Sequence, residues 1–482
     1  MKQIGNRNAW VALSTLCVCS TLTACRVGPA YVRPAVPTAP SYRDGATEQT
    51  GSSATATSPV AVTSLGDEKW WTVFDDQKLL ELIHKGIVQN YDARIAAERV
   101  VQAEAQLSVA RADQKPSLSG NASFASQQYA KGEMGTNPDP ILTNFGRLGL
   151  GAVWNLDFWG RYRMATEAAR AQLVGTEWAR RAVIDTVITE IATAYFQLRT
   201  LDMQLEISQQ TLETRRESLK LTRLLEAGGS DSMLDVREAE QLVFSVQAQI
   251  TDLERQIEQQ EDTISTLLGE TPHAITRGQS IDRQPEPPSI PAGVPSQLLE
   301  RRPDIREAEQ ALIAANAEIG VARSAYFPQI ALTGTTGTDS NALTRLFTSS
   351  SHVWNYGPSL SVPIFDAGRI RSNVRVSESL QRQAVLQYQQ TIANAFRDVS
   401  KALVGYRKYR EYREHQEKIT EAAADALRLS RIRYEHGQSS YLDVLTNDRS
   451  YLAARIDLAT AKQNELLSLV QIYDALGGGW QQ

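Results

Sequence analysis

Apolar residues recur along most of this chain with a helical period. Ile191, Leu198, Leu205, Leu212 and Leu219 lie seven apart, which predicts one helix from Gly160 to about Glu226 with a seam for packing against other helices. After the Gly228-Gly229 turn a second seam begins. Val236, Ala239, Val243, Val246, Ile250, Leu253, Ile257, Ile264 and Leu267 follow steps of three and four, with Gln260 in the one polar slot. Leu442, Leu445, Leu452, Ile456, Ala459, Leu466, Val470 and Tyr473 write the same seam near the C-terminus, interrupted by Arg449 and Gln463. Helical patterns also run from Gln77 to about Asp113 and from Pro295 to Ser324, stopped by Pro116 and Pro328. Between them and the long helices the period becomes two. Leu118, Gly120, Ala122 and Phe124 alternate with Ser and Asn; Leu148, Leu150, Trp154 and Leu156 alternate with Gly, Val and Asn. Further strands are expected near Gln329–Thr336 and Val353–Ile364, where Trp354, Tyr356, Leu360, Val362 and Ile364 share a face.

The order of these elements repeats, and so do letters within them. Gly160-Arg161 returns as Gly368-Arg369 after a shift of 208 residues. The same shift carries Gly229, Ser232, Leu234, Asp235 and Val236 onto Gly437, Ser440, Leu442, Asp443 and Val444, and Leu268-Gly269 onto Leu476-Gly477. A fixed register over such a distance indicates an internal duplication. The predicted domains are a first repeat over 67–275, a Pro-rich linker over 276–295 and a second repeat over 296–482. A helix over 160–226 would span about 100 Å, and those over 78–113 and 234–268 about 54 and 52 Å, so each half should pair one long helix with two short ones stacked end to end. That places the strands at one end of a rod and both Gly-Ser-Leu-Asp-Val turns at the other.

Four strands cannot close a membrane barrel, which starts at eight. Open edges in lipid would leave backbone amides and carbonyls unpaired, at several kcal/mol each. If these strands enter a membrane, several chains must share one barrel. Composition narrows the rest. A net charge of −5 over 482 residues gives no reason to expect a nucleic-acid partner. No run of 18 apolar residues occurs after the N-terminus, so ordinary spanning helices are not expected. At the N-terminus Lys2 and Arg7 precede an apolar stretch, Trp10–Leu22, with the layout of a secretory signal over 1–24. It ends in Leu22-Thr23-Ala24-Cys25, which resembles the lipobox of bacterial lipoproteins and makes Cys25 the candidate for acylation. Arg26 in the following position favours sorting to the outer membrane by the same resemblance. Residues 25–66, rich in Pro, Ala, Ser and Thr, read as an extended strap.

With these features in place, the segments CRVGPAYVRP (25–34), WWTVFDD (70–76), ERRPDIREAEQALIAANAEIGVARSAYFPQIALTG (300–334), PIFDAGRIR (363–371), RYEHGQSSYLDVL (433–445) and ALGGGW (475–480) resemble the TolC-like outer-membrane factors, in particular the lipoprotein OprM/NodT branch that serves RND efflux systems. The resemblance covers nearly the whole mature chain. It implies a mainly α fold with a small β part: duplicated coiled-coil helices forming an α-barrel tunnel, and four membrane strands per chain completing a trimeric twelve-strand β-barrel. It implies a passive duct in the outer membrane for drugs or other small molecules, working with a periplasmic adaptor and an inner-membrane RND pump. It also implies an aperture at the periplasmic tip, with Asp443 as an aperture carboxylate, Leu442 as a constriction, Arg449 as a basic residue further along, and Tyr434 and Asp235 as partners bonding between neighbouring coils. Two positions depart from the pattern: a second aperture acid is Thr446 here, and an arginine lock is Ser439.

Plainer readings stand beside these. Asp235 and Asp443 could simply favour a helix N-terminus, and Leu234 and Leu442 could be seam residues. Trp154, Phe158, Trp159, Trp354 and Tyr356 fit an aromatic belt at a lipid interface, though Trp159 equally fits burial where its helix begins. Gly160 and Gly368 permit the bend from strand to helix. The histidines at 84, 273, 352, 415 and 436 have no ligand spacing, and His436 reads as a solvated turn residue. No phosphate-binding Gly-rich Lys motif, paired-carboxylate or nucleophile–base arrangement is present, so no enzymatic role and no cofactor are expected. The scarcity of Met and His weakly disfavours export of a soft metal. A type I secretion duct for polypeptides and a lipid-anchored coiled-coil scaffold are the alternatives.

Overall fold

The computed structural model describes residues 27–36, Phe74, 76–130, 141–230, 232–283 and 295–478. The signal, Cys25, most of the strap and most of the Pro-rich linker lie outside these. The element order is α1 (Gln77–Gln89), α2 (Tyr91–Ala112), β1 (Ser117–Tyr129), β2 (Ile141–Leu156), α3 (Arg161–Ala227), α4 (Met233–Leu267), α5 (Pro295–Arg301), α6 (Pro303–Ser324), β3 (Gln329–Ser340), β4 (His352–Ser361), α7 (Arg369–Glu435) and α8 (Tyr441–Ala475). The chain is thus mostly helical with one small antiparallel sheet. Its long helices α3 and α7 are each 67 residues, and α4 and α8 each 35. No described helix is long and apolar enough to cross a membrane.

The chain divides into two compact units. Among the described residues, the first comprises 27–35, 100–130, 141–176 and 308–388. At its centre the four strands pair in the order β1-β2-β3-β4. The β2–β3 ladder runs from Gly146 opposite Ser340 to Leu156 opposite Ile330, and so joins the first half of the duplication to the second. The register puts Leu118, Leu148, Leu150, Trp154, Trp354, Tyr356 and Leu360 on one face, and Ser119, Asn121, Thr333, Asn355 and Ser359 on the other. The apolar face is open, with Leu118 72 % and Tyr356 78 % exposed. β1 and β4 each pair on one side only among the described residues. β4 stops at Ser361, short of the expected Ile364, because Pro363 has no N–H to donate. Trp354 and Tyr356 stack at 5.6 Å on the open face, whereas Trp159 stacks on Phe327 at 4.8 Å and donates to the Pro328 carbonyl. Trp159 is therefore half-buried where α3 begins. Gly160 and Gly368 adopt φ of +77° and +84°, the left-handed bend that starts each long helix. Residues 27–35 have no regular secondary structure and belong to this unit. Arg33 pairs with Glu309 at 3.0 Å, and Asn316 donates to the Pro29 carbonyl.

Among the described residues, the second unit comprises 36, 74, 76–99, 177–230, 232–283, 295–307 and 389–478. Its core gathers Leu79 and Ile83 of α1, Ile191, Tyr195 and Leu198 of α3, Ile264 of α4, and Leu469 and Tyr473 of α8. Buried Asp76 starts α1, accepting from the Lys78 and Leu79 amides, and also takes the Tyr195 hydroxyl at 2.7 Å and the Gln279 amide at 3.0 Å. The 78–113 pattern, expected as one helix, is broken at Asn90. The Asn90 Oδ1 caps α2 through the Asp92 and Ala93 amides, while its Nδ2 donates to the Leu267 carbonyl at the end of α4. The 295–324 pattern is broken likewise at Arg302, whose guanidinium donates to the Ala475 carbonyl at the end of α8. Leu267 and Ala475 are repeat equivalents. In both halves the break seals the last turn of that half's final helix, which otherwise ends in unpaired carbonyls.

Candidate functional site

The duplicated turns close by one mechanism. At α3's end the Gly228 and Ser230 amides bond to the Leu224 and Leu225 carbonyls; at α7's end those of His436 and Gln438 bond to Ile432 and Arg433. Gly229 and Gly437 supply φ of +75° and +69°. The helices that follow start differently. Ser232 and Asp235 form a full capping box, with the Asp235 carboxylate accepting from the Ser232 amide at 3.0 Å and hydroxyl at 2.6 Å. Ser440 makes no such side-chain bond. The Asp443 carboxylate is exposed and has no hydrogen-bond partner among the described residues. Two aspartates in the same repeat position thus have different occupations: one stabilises its helix, the other is available to solvent or ligand.

Asp443 has company. Leu442, Thr446 and Arg449 are also exposed, on adjacent turns of α8. Leu442 is 57 % and Leu234 66 % exposed, so neither is a seam residue within this chain. The seam is held instead by Tyr441, Val444 and Leu445, packed with Ala239 and Leu242 of α4 and Leu427 of α7. Tyr434 leans on this cluster, its ring 5.2 Å from that of Tyr441. His436 donates at its own helix end, through Nδ1–H to the Ile432 carbonyl at 2.7 Å, as a turn residue does.

Two charged clusters escaped the sequence reading, because charges inside a heptad pattern look like solvated faces. The first joins Arg215 of α3, Arg431 of α7 and Asp448 of α8. Arg215 is only 4 % exposed. Its Nε and Nη2 each lie 2.8 Å from Asp448 Oδ2.

The second cluster surrounds Asp185 of α3, whose Oδ1 is buried without a hydrogen-bond partner. Burial, reinforced by the negative charge of Asp474 and opposed by Arg302, pushes its carboxyl up to about 8. Arg302 is itself tied to Asp304 at 2.6 Å, with Asp398 at 3.8 Å. Between the ordinary carboxylate range near pH 4 and about pH 8 the folded chain holds a proton that the unfolded chain lacks. Stability contributed by that protonated form is lost as pH rises through this window. Asp185→Asn is expected to remove most of the fall in melting temperature between about pH 5 and 9, an effect on the order of a few kcal/mol. Parallel melting curves for the variant and the parent would count against the assignment. No group of His, Cys, Asp or Glu among the described residues could hold a metal ion.

The family model for outer membrane efflux proteins matches residues 82–270 and again 294–478, one match in each half. Among curated proteins, the cation efflux system protein CusC of Escherichia coli K12 is 34 % identical over 468 residues, covering 97 % of this chain and 99 % of CusC. The outer membrane protein OprJ of Pseudomonas aeruginosa PAO1 is 33 % identical over 472 residues, 98 % and 96 % of the two chains. The open-state crystal structure of the Neisseria gonorrhoeae MtrE outer membrane channel superposes with a TM-score of 0.81 at 31 % identity, covering 95 % of this chain and 99 % of that one.

Proposed function

The chain belongs to the outer membrane efflux protein family and is an outer-membrane channel component of an efflux system, and on that premise we propose that three copies share one β-barrel and one helical tunnel whose periplasmic aperture is set by Asp443, Leu442 and Arg449. The sheet carries this reading. It has a polar face suited to a water-filled lumen, an apolar face suited to lipid, and a free strand edge on each side. Closure removes those edges, and in hydrocarbon nothing else would satisfy their amides and carbonyls. Three sheets of four strands exceed the minimum for a membrane barrel.

The partners that fit such a duct are a periplasmic adaptor and an inner-membrane RND pump, as the resemblance carried by the 300–334 segment implies. The cargo is of the small-molecule class. Relatives of the chain include a cation efflux system protein, a solvent efflux pump protein and an antibiotic efflux pump protein, so the fold serves chemically different cargoes. Cys25 is the proposed acylation site. Its acyl chains would add a lipid anchor beside the barrel, at about 0.8 kcal/mol per buried CH₂.

Light scattering on the detergent-solubilised protein tests the assembly. The expected mass is three chains, with conductance on insertion into planar bilayers. A stable monomer that keeps its full strand content would overturn the reading. Mass spectrometry of the mature N-terminus is expected to find an acylated Cys25, and an unmodified peptide starting elsewhere would remove the anchor from the proposal.

A further inference from the structure

The duplication has a second register. Val109-Ala110-Arg111 returns as Val321-Ala322-Arg323, Ala105 as Ala317 and Pro116 as Pro328, each after 212 residues. So α6 and β3 repeat α2 and β1, while α7 and β4 repeat α3 and β2 at the shift of 208. Inside the chain, α3 and β2 meet α6 and β3. The strands form a ladder, and Ala168 and Ala171 of α3 pack against Ala314 and Ala317 of α6. Ala168 is 1 % and Ala317 2 % exposed. The repeat equivalents of this contact are bare. Val376 of α7 stands in the place of Ala168, and Val101 and Ala105 of α2 in the places of Ile313 and Ala317. Val376 is 57 % and Val101 56 % exposed, and Ala105 is exposed as well. β4, which leads into α7, and β1, which follows α2, are the edge strands among the described residues. One chain thus presents both halves of a junction that it completes only once. Bare apolar positions beside open strand edges mark a surface for association.

Charge points the same way. Arg375 of α7 and Glu104 of α2 are exposed and have no ion-pair partner among the described residues. Within the chain, Met164 of α3 lies over Gly320 of α6, where an added Cβ would meet its Sδ. The equivalents of these two are Ser372 and Ser108, which sets the level of the second junction. Arg375 lies three residues beyond Ser372 and Glu104 four beyond Ser108, both counted away from the strands. At 1.5 Å per residue the two charges come within about 2 Å of one level. We propose that the contact between copies of this chain repeats the contact within it: α7 of one copy packs on α2 of the next, Val376 on Val101 and Ala105, with the Arg375 guanidinium facing the Glu104 carboxylate. The shared barrel proposed above is the premise, and the surface on which the helices meet is added to it. The pairing also carries a register. Shifted by the two repeats, the β2–β3 ladder sets Leu360 opposite Ala122 and Ser361 opposite Asn121 of the next copy. Apolar positions then meet apolar ones and polar meet polar, whereas a slip of one residue would mix the faces. The contact is heterologous, joining two different surfaces, and it ends in a closed ring when the rotation between copies closes.

Introduced cysteines and charge reversals test it. The chain with both Val376→Cys and Ala105→Cys, treated in detergent with a short bifunctional thiol reagent, is expected to run as three linked chains on a denaturing gel. The parent, which keeps Cys25, gives the background. Each single variant is expected to stay one chain. A linked dimer of Val376→Cys alone would mean that α7 meets α7, which overturns the proposal. Arg375→Glu and Glu104→Arg are each expected to lower the temperature at which the trimer dissociates by several degrees, and the two reversals together to restore it. A trimer that does not link, or a double reversal no more stable than either single one, overturns the proposal and leaves the shared barrel standing. A parent protein that is not a trimer overturns both.

Discussion

In planar bilayers the Asp443→Ala channel is expected to lose most of its preference for cations. The carboxylate is exposed, unpartnered among the described residues, and fixed at the start of a 35-residue helix, so little can move to replace it. Around a threefold axis it becomes a ring of three like charges. Three charges each about 5 Å from an ion on the axis contribute roughly 0.8 kcal/mol apiece in a water-like dielectric. Salt near physiological strength screens over about 8 Å and reduces the sum. A roughly tenfold drop in the cation-to-anion permeability ratio remains the expected scale. Asp235→Ala separates charge from architecture. That residue closes a capping box, so its loss is expected to cost about 0.5–2 kcal/mol of helix stability and to leave selectivity in place. An unchanged permeability ratio in Asp443→Ala would remove the aperture ring from the reading.

Gly269→Val and Gly477→Val are expected to be the most damaging single substitutions for folding. Both glycines have left-handed φ, +73° and +71°. A side chain there is strained by about 1–3 kcal/mol from the backbone alone. Each also lacks room: a Cβ on Gly269 would collide with the Gln89 carbonyl, and one on Gly477 with the backbone and Cγ of Arg302. Overpacking adds about 1–3 kcal/mol, and the sum is a large share of a typical total of 5–15 kcal/mol. Gly229→Val supplies the control. Its φ is the same within a few degrees, yet nothing lies within 4 Å of the added carbon. The expected outcome is a melting temperature roughly 10 °C lower for the first two, with a clearly smaller fall for Gly229→Val. Equal losses at all three would mean that backbone strain, and not the docking against Gln89 and Arg302, sets the cost.

These same positions show how far the sequence could be read. The recurrence of Leu268-Gly269 as Leu476-Gly477 exposed the duplication, because a left-handed helix end admits few residues besides glycine. The long helices followed from their heptads and the strands from their alternation, both local signals. The break at Arg302 had a local signal too, since Pro303 favours the first position of a helix. Asn90 had none of that strength, because its reason is the Leu267 carbonyl far along the chain. The candidate site was half legible. Asp235 and Asp443 carry the same letters in the same pattern, and only the geometry around Ser232 and Ser440 distinguishes a cap from a free carboxylate. Leu442 falls on the seam's spacing yet is exposed, since Tyr441 and Leu445 fill the contact. Arg215 sits in a heptad where an arginine ordinarily faces water, and its burial depends on an aspartate from the other half.

The ladder between β2 and β3 also sets the timing of assembly. A chain delivered N-terminus first can pair β1 with β2, and can dock Asn90 on Leu267, from its first half alone. The other edge of β2 must wait for β3, so from the arrival of Leu156 until that of Gln329 the nascent sheet offers a row of unsatisfied amides and carbonyls. Such an edge is a template for pairing with any strand that comes near. That interval, rather than the finished sheet, is when the β2 edge is open to pairing with a foreign strand.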